Sequence, residues 1–135
     1  MTDHEGALQK ALVAALKADA ALAAVLGGRV WDQAPEAAEF PHLLVGRCES
    51  RPLAADGGGV EQALTLTTVS RFAGTEEARA VAAAVRARLH EGALEADGVR
   101  TVTLRVTFSD VFRAGDGRRT YAVVRVRAVT EDVAG

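Results

Sequence analysis

The sequence predicts an α+β fold: a mostly antiparallel four-stranded sheet with two helices packed on one face, in the order helix, strand, strand, helix, strand, strand. Three observations carry that expectation. Two stretches repeat apolar residues at three- and four-residue spacing, as amphipathic helices do. Other segments alternate apolar and polar residues with the period of two that marks a strand with one buried face. Glycine, proline and acidic residues gather between them as turns. Two helices laid over one side of such a sheet cover its apolar face and leave the other face polar.

Over residues 5–17, Leu8, Ala11, Leu12, Ala15 and Leu16 form one helical stripe. Asp19 can cap a further turn or two through Leu22, Val25 and Leu26, which Gly27 and Gly28 end. A short extended piece at Val30 and Trp31 follows, then a loop over residues 34–41 and a strand over residues 42–49. Residues 50–59, "SRPLAADGGG", read as a flexible loop. Residues 60–72 form the next strand, with Leu64 and Leu66 inward and Thr65 and Thr67 outward. Thr75 caps the second helix, whose first turn places Glu76 and Glu77 at the positive end of the helix dipole. Its buried stripe is Ala78, Val81, Ala82, Val85 and Leu89.

The last two strands form a hairpin around "AGDGR". Val102, Leu104, Val106 and Phe108 alternate with Thr101, Thr103, Arg105 and Thr107, and beyond the turn Ala122, Val124, Val126 and Ala128 alternate with Tyr121, Val123, Arg125 and Arg127. A two-residue turn at Asp116-Gly117 sets Phe108 opposite Arg125, and on that ground it is rejected. A three-residue loop, Gly115-Asp116-Gly117 with Gly117 left-handed, instead pairs Phe108 with Val124, Val106 with Val126 and Leu104 with Ala128. That register faces Arg105 with Arg127 and sets Arg125 beside them. Like charges directly opposed across a sheet are unfavourable by a few tenths up to about 1 kcal/mol. The expected remedy is an anion: solvent counter-ions, a carboxylate of this chain, a neighbouring subunit or a phosphate backbone.

A length of 135 residues suits one domain over residues 1–135. A hydrophobic fraction of 49% with 25% charged residues is that of an ordinary globular protein. Aromatics make up only 4%, so alanine builds much of the core, buries less area per residue, and makes association with further copies a natural supplement. The formal net charge is −2, yet seven arginines against three carboxylates give a net +4 between Arg100 and Glu131 and leave −6 for the rest. Opposite charges within one small domain suit copies that dock head to tail.

Catalytic patterns are sought and not met. Cys48 is the one cysteine, which excludes an internal disulfide and a cysteine-based zinc cluster and suits an intracellular protein. His4, His42 and His90, assigned to a flexible terminus, a strand start and a helix end, lack metal-ligand spacing. His42 and Cys48 share one strand and, by parity, one face, about 20 Å apart at the strand rise, too far for proton transfer. "GGRVW" and "DGGGV" lack the lysine of a phosphate-binding loop. A pI of 5.9 and few aromatics argue against a dedicated nucleic-acid binder. Charges interrupt the N-terminal apolar run, which fails as a membrane span and lacks the basic start of a secretion signal. No cofactor and no membrane partner are expected.

The order and spacing of "LGGRVWD", "FPHLLVG", "VSRFAGTEEA" and the final hairpin ending in "VRVRAVTE" resemble the tail-completion, or tail-terminator, family of long-tailed phages and phage-like gene transfer agents, over nearly the whole chain. The resemblance implies a non-enzymatic virion protein: a ring, typically of six copies, that caps the tail tube, joins it to the head-tail connector or stopper protein, and lets DNA pass in transient contact through its centre. The family carries no motif of active residues. The sites assigned on this basis are a subunit or tube interface at Arg105, Arg125, Arg127, Arg118 and Arg119, and a flexible docking or channel loop at Asp56, Gly57, Gly58 and Gly59. The competing reading of the same layout is a small homo-oligomeric α+β module that binds a ligand in the bacterial cytoplasm, with an uncharted small enzyme as a weaker third.

Overall fold

The computed structural model describes residues 2–53, 59–71 and 73–133. Three helices and a six-stranded sheet make up these residues: α1 (His4–Ala18), α2 (Ala20–Leu26), β1 (Val30–Trp31), β2 (His42–Pro52), β3 (Val60–Arg71), α3 (Thr75–Leu89), β4 (Glu95–Ala96), β5 (Val99–Arg113) and β6 (Arg119–Asp132). The strands lie in the order β1-β2-β3-β6-β5-β4, and every neighbouring pair is antiparallel except β1 with β2. The α+β class and the four long antiparallel strands agree with the sequence reading. The count of four strands and two helices is corrected to six and three.

Each added element has a local cause. Asp19 ends α1 in extended geometry and caps α2, its carboxylate accepting from the Leu22 N–H at 3.1 Å, so the long N-terminal pattern becomes two helices. Gly27, at φ +56°, closes α2 and donates to the Ala23 carbonyl. Strand β4 is joined to β5 by Asp97 and Gly98, both at positive φ, which is the pairing a two-residue hairpin turn demands.

The helices cover one face of the sheet. The six buried residues of α1 include Leu8, Leu12 and Leu16, and the expected stripe of α3 is buried in full. They pack on Leu43, Val45, Leu64, Leu66, Leu104, Ala122, Val124, Val126 and Ala128 of the sheet. One cap differs from expectation: Gly74, not Thr75, precedes α3, and no side chain caps it. A Cβ on Gly74 would lie 2.9 Å from the Arg71 carbonyl oxygen and from the Ser70 Cβ, so the chain is too crowded there for a larger residue.

The hairpin register is also corrected. Next to the turn, Phe112 pairs with Tyr121 and Phe108 with Arg125, the arrangement rejected from sequence. A bulge between Val106 and Phe108 then restores the expected pairs Val106 with Val126, Arg105 with Arg127 and Leu104 with Ala128. A second bulge between Thr101 and Thr103 turns Val102 outward. Phe108 is therefore 44% exposed instead of buried, and it is accommodated because the Arg125 guanidinium lies 4.9 Å from its ring centroid. The loop is longer than expected: Ala114 bonds back to Arg119, while Gly117 takes the expected left-handed conformation at φ +70°. Residues 50–52, read as loop, belong to β2, and the Leu53 N–H donates to the Gly59 carbonyl across the strand ends.

Candidate functional site: the open face of the sheet

Among the described residues no helix covers the second face of the sheet, and the predicted arginines divide between its two ends. Alternation along β6 places Arg119, Arg125 and Arg127 on this face, and Arg105 of β5 stands directly opposite Arg127. Arg118 sits in the hairpin turn, where its backbone N–H donates to the Asp116 carboxylate at 2.9 Å. At ~3.3 Å per residue, Arg119 lies roughly 20 Å along the strand from Arg125. The structure thus brings together Arg105, Arg125 and Arg127, and sets Arg118 and Arg119 apart. Asp56, Gly57 and Gly58 lie outside the described residues; Gly59 is a strand-end residue whose carbonyl closes on Leu53.

The opposed arginines are balanced first by this chain. Glu61 accepts from Arg51 Nη2 at 2.8 Å and lies 3.7 Å from Arg127, while Glu91 lies 3.6 Å from Arg105. Arg125 is held over Phe108 instead. Arg47 pairs with Glu49 at 3.1 Å on the same face. Arg47, Glu49, Thr65, Thr107, Arg125 and Arg127 line a shallow polar trough across β2, β3, β6 and β5. At the turn end of this face, Arg119 stacks over Phe40 at 5.4 Å, Phe40 stacks on His42, and Phe112 tilts against Tyr121. Sequence reasoning missed Arg47, Glu49, Arg51 and Glu61. The signal for the first three was available as charge alternating with period two through "RCESR", continuing β2 past residue 49.

Hydrogen bonds from Arg51 hold the Glu61 carboxyl below its ordinary value; partial burial opposes this, and the charges of Arg51 and Arg127 reinforce it. A carboxyl lowered in the folded state stabilises the fold above its ordinary titration range and loses that contribution as pH falls through the folded value. Stability is accordingly expected to decline as pH falls below about 4.5. Glu61→Gln should flatten that decline, as thermal melts across an acid pH series would show; a wild-type slope in the variant would contradict the assignment.

The remaining polar groups are structural. His42 is buried between Trp31 and Phe40, with its Nδ1 2.8 Å from the Glu39 carbonyl oxygen. A bulge between Val45 and Cys48 turns Cys48 to the helix side and leaves His42 on the open face, so the two do not share a face as parity alone implied. Cys48 donates to Gln62 Oε1 at 3.4 Å, and burial, then Glu5 and Glu49, push its thiol up. Gln62, fully buried, donates in turn to the His4 carbonyl and to Thr130 Oγ1. His4 is not a free terminus: its Nδ1 lies 2.8 Å from Thr130 Oγ1 and its Nε2 3.5 Å from Asp132. Among the described residues no group of His, Cys, Asp and Glu is arranged to hold a metal ion, and no helix is long and apolar enough to cross a membrane.

A geometry of balanced charge on an uncovered sheet suits contact rather than chemistry, and comparison with known proteins agrees. The family model described as tail completion protein gp17 matches residues 10–131. The chain belongs to that family. A solved chain from the virion of a native gene transfer agent particle is similar over 97% of this chain and 99% of its own, with a TM-score of 0.87 and 27% identity. A second solved chain, 19% identical with a TM-score of 0.53 over 93% of this chain and 92% of its own, shows the fold alone. No curated protein matches. As a tail completion protein, the chain is a virion component with a structural role in the tail of a phage or gene transfer agent.

Proposed function

We propose that this tail completion protein forms a ring of six copies that ends the tail tube and joins it to the head-tail connector, with DNA passing through the hole. The observation that carries the reading is the near-complete likeness, at 27% identity, to a chain of an assembled gene transfer agent virion. The uncovered arginine face supports it. Arg105, Arg125 and Arg127 stay exposed although paired or stacked, so they remain available to carboxylates of a neighbouring copy or of the tube. Arg118 and Arg119 extend that interface to the hairpin tip, and the segment from Asp56 through Gly57 and Gly58 to Gly59 would dock on an adjacent ring or line the channel.

Electron microscopy of the purified protein mixed with tail tubes tests the reading. Six-fold annuli seated on tube ends are expected. Single globules, with tube ends bare, would contradict it.

A further inference from the structure

Among the described residues the sheet is covered along only part of each outer edge. On the β5 side, β4 pairs with Val99 and Arg100, and the chain after α3 continues the cover: the Thr101 N–H donates to the Leu94 carbonyl, the Glu91 N–H to the Leu104 carbonyl, and the Val106 N–H to His90 Nδ1. There the cover stops. The bulge beyond Val106 reverses the alternation, and the Ala114 N–H faces Arg119, so the N–H and C=O of Ser109 and Val111 point away from β6. On the other side β1 covers only Leu43 and Leu44. Because the Leu53 N–H turns toward Gly59, Cys48 and Ser50 point their backbone groups away from β3. Among the described residues none pairs with these backbone groups. Such edges recruit further strands.

We propose that neighbouring copies join edge to edge, the open stretch of β5 in one copy pairing antiparallel with the open stretch of β2 in the next; this rests on the ring reading above. Direction permits it. β2 and β5 are separated by two antiparallel strands and run in opposite senses, and rotation about a ring axis preserves that relation. Stagger permits it as well. Asp110 is level with Thr67 through Val123, and Glu49 with Ala63, an offset of about four residues. That is ~13 Å across four strand spacings of ~19 Å in all, or a strand tilt of about 35°, within the range of closed barrels.

In this register Phe108 faces Arg51 and Phe112 faces Arg47, while Asp110 lies level with Glu49 and is flanked diagonally by both arginines. The β5 stretch presents Asp110 between Phe108 and Phe112, which are 44% and 45% exposed. The β2 stretch presents Arg47 and Arg51, whose side chains stay 81% and 72% exposed despite their own carboxylate partners. Guanidinium groups suit both a carboxylate and phenyl rings, as Arg125 on Phe108 already shows within one copy. The contact is head to tail, so it propagates until the ring closes.

Proline at either edge tests this. Ser109 and Ser50 are exposed and their N–H groups serve no strand of their own copy, so Ser109→Pro and Ser50→Pro should fold, as circular dichroism would show. The wild type is expected to form rings and each variant alone to remain monomeric in light scattering. An equimolar mixture should give a two-chain species and nothing larger, because Ser50→Pro keeps its β5 edge and Ser109→Pro keeps its β2 edge. Rings from either proline variant, or a mixture that stays monomeric, would overturn the edge proposal and leave the ring reading standing. A wild type that never associates would remove both. Phe108→Ala combined with Phe112→Ala, which removes the two rings facing Arg51 and Arg47, provides a second reading independent of the proline effect: the association constant should fall at least ~10-fold, and unchanged association would overturn the proposal.

Discussion

Val126→Asp is expected to leave no cooperatively folded protein at neutral pH. Val126 is fully buried at the middle of β6, paired with Leu64 on one side and Val106 on the other, beneath the helices. A carboxylate placed there finds no partner in an apolar layer, and desolvating it costs several kcal/mol, comparable with the whole stability of about 5–15 kcal/mol that a domain of this kind possesses. Val126→Ala separates lost packing from charge: it should fold and lose roughly 2–3 kcal/mol from missing methyl groups and the cavity they leave. Urea titration followed by circular dichroism measures both. An aspartate variant that unfolds at the wild-type midpoint would show that this strand is not central to the core.

Arg105→Glu combined with Arg127→Glu should do the reverse, sparing the fold and removing assembly. The two side chains are 65% and 56% exposed, and their contacts to Glu91 and Glu61 are long surface pairs, each worth a few tenths to about 1 kcal/mol. Added repulsion between the new glutamates and Glu61 and Glu91 is of similar size, so the melting temperature should fall by only a few degrees. Docking of this face on carboxylates of the tube or of a neighbouring copy meets a reversed charge at both positions and should weaken at least ~100-fold, or about 2.7 kcal/mol. Normal assembly by the folded double variant would defeat the interface assignment. Loss of folding would mean that these arginines serve the monomer.

The long elements were legible because their signal is repetition. The stripe of α3 from Ala78 to Leu89 and the inward pair Leu64 and Leu66 follow directly from period and burial. The two-residue strands were not legible as strands, since Val30-Trp31 and Glu95-Ala96 are too short for any period to show, although Asp97-Gly98 was a readable turn. Bulges defeated the rest. Alternation assumes an unbroken ladder, and the irregularities near Thr101, Val106 and Val45 each reverse it, exposing Val102 and Phe108 and separating Cys48 from His42. The pairing of Arg105 with Arg127 across the two strands was predicted correctly. Their carboxylate partners were not, because Glu91 reaches Arg105 from the end of a helix and Glu61 reaches Arg127 from a strand two residues out of register, relations that spacing does not encode.

Sedimentation velocity of the wild-type protein over a concentration series, alone and with tail tubes, addresses most directly whether the uncovered face and edges recruit sister copies. The account predicts a discrete closed oligomer, six times the 14.1 kDa chain, that moves with the tubes. A single 14.1 kDa particle at every concentration, unchanged by tubes, would contradict it.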